Sequence, residues 1–210
     1  MPVRTPQFMT PQILDLCREL NPAVRPAFLG IAPEPGCEPN DCFQSVQRKV
    51  MKQGGRMQFG WAIWEWPHVF IEAEHHAVYV PPEGPPWADI SPSAMPDVTR
   101  RLFLPDDTAT YDFENEGIRR DNVRRPLADD PLILRFLDLN HEMNSIMNTI
   151  PGVGRVTLSG DAAVRYQRNV HEAALIEMQL LMKYTSQNAP CFCGSGQKFK
   201  RCHGQARIAR

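Results

Sequence analysis

Residues 57–66, Met-Gln-Phe-Gly-Trp-Ala-Ile-Trp-Glu-Trp, and residues 69–80, Val-Phe-Ile-Glu-Ala-Glu-His-His-Ala-Val-Tyr-Val, are separated only by Pro67-His68. Both runs are rich in aromatic and β-branched residues, and a proline sits at the break, so they read as two successive strands. Working outward, Pro81 to Pro86 is a turn. Trp87 to Ser91 then reads as a third short strand and Leu102-Phe103-Leu104 as a fourth, which together make a small antiparallel sheet. On the N-terminal side, Thr10 caps a short amphipathic helix through Leu20 that carries Ile13, Leu14, Cys17 and Leu20 on one stripe and stops at Asn21-Pro22. After the Pro33 to Pro39 loop, Asn40 or Asp41 caps a second helix from Cys42 to about Met51, and Gly54-Gly55 ends it.

The second half reads as helical. Asp107 to Asp129 is charged, with Arg119, Arg120, Arg124 and Arg125 broken by Asp121 and Asn122, and reads as an exposed loop. Pro131 to Met147 is a helix, Pro151-Gly152 a break, and Asp161 to Tyr184 a long helix that Ser159 caps and that carries Ala163, Val164, Tyr166, Val170, Ala174, Leu175, Met178, Leu181 and Met182. The expected class is therefore α+β, with N-terminal helices, a small antiparallel sheet, a helical second half and a C-terminal metal knuckle. The expected division is an α+β domain over 1–184, its helical part spanning 130–184, and a tail over 185–210.

That tail holds Cys191, Cys193, Cys202 and His203 in the run Pro-Cys-Phe-Cys-Gly-Ser-Gly-Gln-Lys-Phe-Lys-Arg-Cys-His-Gly. Three thiolates and an imidazole are a standard closed ligand set for tetrahedral Zn2+, and with no coordination position left open the ion is structural. Gly194 and Gly196 supply the backbone freedom that the intervening turn needs. A disulfide or a set of reduced surface thiols is the competing reading of the cysteines. Lys198, Lys200, Arg201, Arg207 and Arg210 add positive charge, with no acidic residue after Glu177. They suit phosphate or an acidic protein face, and equally a solvated tail.

Pro190 to Gly204, including Gly194-Ser195-Gly196, Lys198, Phe199 and Lys200, resembles the SEC-C motif, the short zinc-binding tail of the translocation motor SecA and of other bacterial proteins. The resemblance implies a Cys191, Cys193, Cys202, His203 zinc cluster and a docking role toward a protein partner. It also implies contact with ribosome or nucleic acid, for which Lys198, Lys200 and Arg201 are the candidates.

A second constellation lies upstream. Cys42 falls in the first turn of its helix, where unpaired N–H groups and the positive end of the dipole favour a thiolate. His76 lies in one strand and Asp89 in the next, so antiparallel pairing can set imidazole beside carboxylate. In such a trio the imidazole takes the thiol proton and the carboxylate fixes its tautomer. The order of Cys42 at a helix start, the His76-Ala77-Val78-Tyr79 strand and the Trp87-Ala88-Asp89-Ile90-Ser91-Pro92 segment resembles the transglutaminase-like and papain-like superfamily over residues 40–92. What the resemblance implies is a thiol hydrolase or transferase, and Asn40 is then a candidate side-chain donor to an oxyanion.

Other readings compete with this one. Cys42 is also compatible with a small buried hydrophobe, and the N-terminal domain with a non-catalytic adaptor surface. Glu72, Glu74 and His76 share a strand face and would suit a second metal. Trp61, Trp64, Trp66 and Trp87 read as core and edge aromatics rather than a ligand cage.

With 210 residues, 42% of them hydrophobic, and a formal net charge of −1, the chain has length for one core plus an appendage and carries no global bias toward nucleic acid. No stretch approaches the roughly 20 apolar residues of a membrane span, and Met-Pro-Val-Arg-Thr-Pro lacks the apolar run of a signal peptide. The expected location is cytoplasmic, where Cys17, Cys37 and Cys42 remain free thiols.

Overall fold

The computed structural model describes residues 3–93, 95, 98–114, 120–150 and 157–205. Arg119, Arg207, Arg210 and the Pro151-Gly152 break lie outside the described residues. The class is α+β: a five-stranded antiparallel sheet with helices on it, and a Cys/His cluster near the C-terminus.

The sheet grows from the long hairpin. Strand β2 (Arg56–Trp66) pairs with β3 (Phe70–Val80) through eleven consecutive positions from Arg56↔Val80 to Trp66↔Phe70. Two further strands flank it on the β2 side. β4 (Arg100–Pro105) pairs with β2, and β1 (Ala27–Gly30) pairs with β4. On the other side β5 (Val123–Pro126) covers the first half of β3. The spatial order is therefore β1-β4-β2-β3-β5.

Three differences from the sequence reading follow from pairing. Trp87 to Ser91 is not a strand: Ala88 bridges Tyr79 and Asp89 bridges Ile31 as isolated contacts. β1 is a strand because β4 pairs with it, although its four residues carry no period of their own. The charged run after Asp107 contains β5, which a loop reading hides, because Arg124 is tied to Glu72 of β3 and its charge is compensated inside the sheet.

Helix α1 (Pro11–Leu20) is capped by Thr10, whose side chain accepts from Ile13 N, and buries Ile13, Leu16 and Cys17 against Trp61, Ile63, Ile71, Leu102 and Leu104. Helix α2 (Cys42–Gln53) packs Val46 against Tyr79 and Ile90. Asp41 occupies its N-cap position but makes no side-chain cap; instead it accepts from Ser45 Oγ and Arg48.

Helices α3 (Pro131–Met147) and α4 (Gly160–Tyr184) close the hairpin end of the sheet, where Ile133, Leu139, Ala173, Ile176 and Leu180 meet Trp66, Val69 and Phe70. Asp130 caps Leu132 N and accepts from Lys183 Nζ and Tyr184 OH, which ties the start of α3 to the end of α4. Ser159 stands at the N-cap of α4 without a side-chain bond. The buried face of α4 is Asn169, Ala173, Ile176 and Leu180, whereas Val164, Val170, Leu175 and Met178 are exposed. The helix carries two apolar stripes, and only contact with α3 and the hairpin selects between them. Trp61, Trp64 and Trp66 are buried in the core and Trp87 is half-buried.

Candidate functional sites

Two clusters of reactive side chains emerge. The first sits where β3, β4 and the segment after β3 meet the N-terminus of α2. His75 and His76 are adjacent on β3 and so face opposite sides of the sheet. His75 Nε2 donates to the Ala109 carbonyl at 2.6 Å and its ring lies 4.7 Å from that of Phe43. His76 takes the other face, buried, with Nε2 3.1 Å from Asp89 Oδ2.

Asp89 is fully buried and reaches this place because the chain turns back after β3, so that Ala88 pairs with Tyr79 in both directions. Cys42 also acts on the His76 ring, through hydrogen bonding and charge. Burial by itself lowers the imidazole pKa, but the charges of Cys42 and Asp89 and the hydrogen bonds to both outweigh it and lift the ring to about 10. Burial likewise pushes the Asp89 carboxyl up, yet His76, Arg101 and the Ser91 N–H hold it below the ordinary carboxylate value.

Arg101 was not singled out by the sequence. It lies on β4, with β2 between it and His76, and β2 presents the small residues Gly60 and Ala62 between them on that face, with Trp64 beyond, which leaves room for the two long side chains to meet. Its Nη1 donates to Asp89 Oδ2 and stands 2.7 Å from His76 Nε2. Arginine has donors only. The approach to Nε2 is a hydrogen bond only if that nitrogen is bare, whereas the Asp89 contact is one only if it is protonated. Asp89 Oδ2, accepting from both groups, assigns the proton to Nε2 and makes the carboxylate the shared partner.

The cavity in front of this group has a volume of about 180 Å³ and is lined by Asn40, Cys42, Phe43, Glu74, His76, Ser91 and Arg101 among others. Asn40 adopts a left-handed backbone, φ 65°. A larger cavity of about 480 Å³ lies away from it, between Trp66 and His68 of the hairpin turn, Tyr184 of α4 and Phe192 of the tail. Its lining residues include no cysteine.

The competing strand-face metal site is not assembled: Glu72 pairs with Arg124, Glu74 accepts from Trp64 Nε1 and His76 is committed to Asp89. Cys37 and Cys42 are both free thiols, and burial pushes the Cys17 thiol up to about 11.

The second cluster is in the tail. A bridge from Pro190 to Lys198, with Cys191 N donating to Gln197 O, brings the two halves of the knuckle together. Gly194 and Gly196, at φ 74° and 73°, turn the chain between them. A 3₁₀ turn, Phe199–Arg201, then places Cys202 and His203, and Phe199 is fully buried beside Phe192. The knuckle thus has a small core of its own.

The ligand atoms of Cys191, Cys193, Cys202 and His203 all lie within 4.8 Å of one another. Cys191 Sγ is 3.3 Å and Cys202 Sγ 3.4 Å from His203 Nδ1, and Cys193 Sγ is 3.6 Å from Cys202 Sγ. Tetrahedral coordination with zinc–sulfur bonds of ~2.3 Å and zinc–nitrogen bonds of ~2.0 Å requires separations of roughly 3.5–3.8 Å, so the donors present fit one ion. Burial opposes ionisation of Cys191, but the N–H groups of Cys193 and His203 and the His203 ring bring its thiol down to about 6. Among the described residues this is the one group of His, Cys and carboxylate side chains that could hold a metal.

Residues 188–205 match the SEC-C motif family. No solved structure matches the chain. Lys198, Lys200 and Arg201 are exposed on the same knuckle. Among the described residues no helix is long and apolar enough to cross a membrane.

Proposed function

We propose that this chain is a cysteine-nucleophile enzyme of the hydrolase or acyl-transferase type whose SEC-C knuckle, loaded with Zn2+, docks it to a macromolecular partner. The observation that supports the catalytic half is that Cys42 and His76 line one cavity while His76 Nε2 stands 3.1 Å from Asp89 Oδ2. With Nε2 held by Asp89, Nδ1 is the nitrogen that carries the proton taken from the thiol, which leaves the ring cationic. The sulfur adds to an acyl carbon, the proton on His76 passes to the leaving group, and the thioester is resolved by water or by an acceptor nucleophile whose proton returns to His76. The backbone N–H of Cys42, in a first turn that lacks a side-chain cap, and the Asn40 side chain are the oxyanion donors of this scheme.

Site-resolved alkylation tests it. Iodoacetamide modifies Cys42 at pH 6 to 7 faster than an ordinary thiol, and His76→Ala abolishes the excess; an ordinary rate in the wild-type protein ends the catalytic reading and leaves the adaptor.

In the knuckle, Zn2+ held by Cys191, Cys193, Cys202 and His203 supplies structure and no open site. The 1–184 part is then the catalytic body and 185–210 the appended docking element. Support for docking is the exposed triplet Lys198, Lys200 and Arg201, charges that would meet an acidic protein face or phosphate. Replacing all three with alanine weakens association with the partner and flattens its salt dependence, and salt-insensitive binding contradicts this. A cytoplasmic setting suits reduced, metal-bound thiols.

A further inference from the structure

Glu74 lines the same cavity as Cys42 and His76. Its Oε2 accepts from the Trp64 indole Nε1 at 2.6 Å, which fixes the carboxylate against a buried ring. Its Oε1 has no partner among the described residues. Glu74 is half-buried and Oε1 is not among the buried unpaired polar atoms, so that oxygen is accessible.

Glu74 also carries the one charge of the lining that nothing among the described residues compensates. Arg101 is paired with Asp89. Cys42 and His76 pass one proton between them and are neutral as a pair in either form. Burial holds the His75 ring below its ordinary pKa and favours its uncharged state. The remaining lining residues bear no charge, and Phe43, Pro92 and Met95 among them supply apolar walls. A single unbalanced carboxylate in such a cavity attracts cations and repels anions.

We infer that Glu74 is the specificity-determining residue of this cavity and binds a protonated amine carried on a short alkyl chain of the acyl substrate. The inference rests on the proposed nucleophilic role of Cys42 and names the substrate class: acyl groups that end in an ammonium. A guanidinium is a poorer match, because it engages both oxygens of a carboxylate and Trp64 already occupies one. An ammonium is a point charge and needs only the oxygen left free. At about 180 Å³ the cavity is smaller than the roughly 300–1,000 Å³ that encloses a drug-sized ligand, so the chain is short.

Three methanethiosulfonates with the same two-carbon stem test this: the 2-aminoethyl, 2-hydroxyethyl and 2-sulfonatoethyl reagents, which are cationic, neutral and anionic. With each, the Cys42 sulfur forms a mixed disulfide with the reagent's sulfenyl sulfur and methanesulfinate leaves, so the stem takes the place of an acyl chain. Rates are read at Cys42 by mass spectrometry of the zinc-loaded, full-length protein. Glu74→Gln lowers the ratio of aminoethyl to sulfonatoethyl rates about tenfold, the size of one hydrogen bond to a charged group, and leaves the hydroxyethyl rate unchanged. Glu83→Gln, on the exposed surface, leaves the ratio as it was.

An unchanged ratio in Glu74→Gln, an equal fall in Glu83→Gln, or a wild-type aminoethyl rate no higher than the hydroxyethyl rate overturns the subsite while leaving Cys42 catalysis standing. A Cys42 that reacts with none of the three faster than an ordinary thiol overturns the catalytic reading and the subsite with it. Thermal unfolding supplies an independent readout. Glutamine at position 74 keeps an acceptor for Trp64, so Tm matches that of Glu83→Gln; a marked fall shows that the Glu74 charge is used within the fold and overturns the subsite.

Discussion

His76 Nε2 stands 3.1 Å from Asp89 Oδ2, and the same carboxylate oxygen accepts from Arg101, so one buried anion serves two cationic side chains. Removing one partner of such a group leaves an uncompensated charge, which costs about 3–5 kcal/mol. Asp89→Asn is expected to destabilise the protein by that order in urea unfolding, whereas Asp107→Asn on the surface changes it little.

The same group sets a pH window. Asp89 has its folded pKa depressed, so its contribution is present above the ordinary carboxylate value of 3.8 and is lost as pH falls through the lower folded value. His76 has its pKa raised from 6.5 to about 10, so its contribution is full below 6.5 and is lost as pH climbs through about 10. Stability is expected to be level between these limits and to decline from pH 7 to 10. In His76→Gln the alkaline decline flattens, which unfolding at pH 6, 8 and 10 measures.

In the knuckle, Ser195 Oγ reaches Cys202 Sγ at 3.6 Å. Groups that orient metal ligands typically contribute 10–100-fold to affinity. Purified protein is expected to hold one zinc per chain, and Ser195→Ala to bind it about tenfold more weakly in a chelator competition. Removing the metal unfolds residues 188–205, seen as lost amide protection there.

How much of this was legible depended on whether a residue's partner was near in sequence. Asp130-Pro131 signals the start of α3 through a cap and a fixed φ, and the aromatic run from Met57 announces a strand by composition. The four candidate metal ligands lie within thirteen residues and needed no fold. Cys42 and His76 could be ordered along helix and strand, whereas Asp89 was expected on a strand that does not form and reaches His76 because the chain turns back after β3. Arg101 could not be found that way. Its place beside Asp89 depends on β4 lying next to β2 and on Gly60 and Ala62 being small. β5 was hidden for a related reason, since Arg124 reads as a loop charge until Glu72 of β3 is set opposite it.

Asp130 caps α3 and also holds Lys183 and Tyr184 of α4. Hydrogen bonds from Lys183 first, and from Tyr184 and Leu132 N, keep its carboxyl below the usual range. Asp130→Ala is expected to cost about 2–3 kcal/mol, a lost cap plus an orphaned phenol hydroxyl. The wild-type advantage disappears as pH falls through the depressed carboxyl pKa, which unfolding of both proteins at pH 7 and pH 3 checks.

Gly60 lies opposite His76 in the hairpin register, and a Cβ there would fall 2.2 Å from the Leu104 carbonyl and 2.6 Å from the Phe103 ring. Phe103 in turn packs its ring edgewise on His76, with centroids 6.2 Å apart. Gly60→Ala must therefore push β4 away from β2 and draw Phe103 off the imidazole. Overpacking of this kind costs about 1–3 kcal/mol or more, and the displaced ring also loosens His76, so Cys42 alkylation slows along with the loss of stability. Gly36→Ala is the control. Its φ of 84° strains an alanine, but no atom stands within 4 Å of the new Cβ. It is expected to lower stability by about 1 kcal/mol through the backbone alone and to leave the alkylation rate unchanged. If the two variants lose stability equally and both keep the rate, the contact between Gly60, Phe103 and His76 does not position the imidazole.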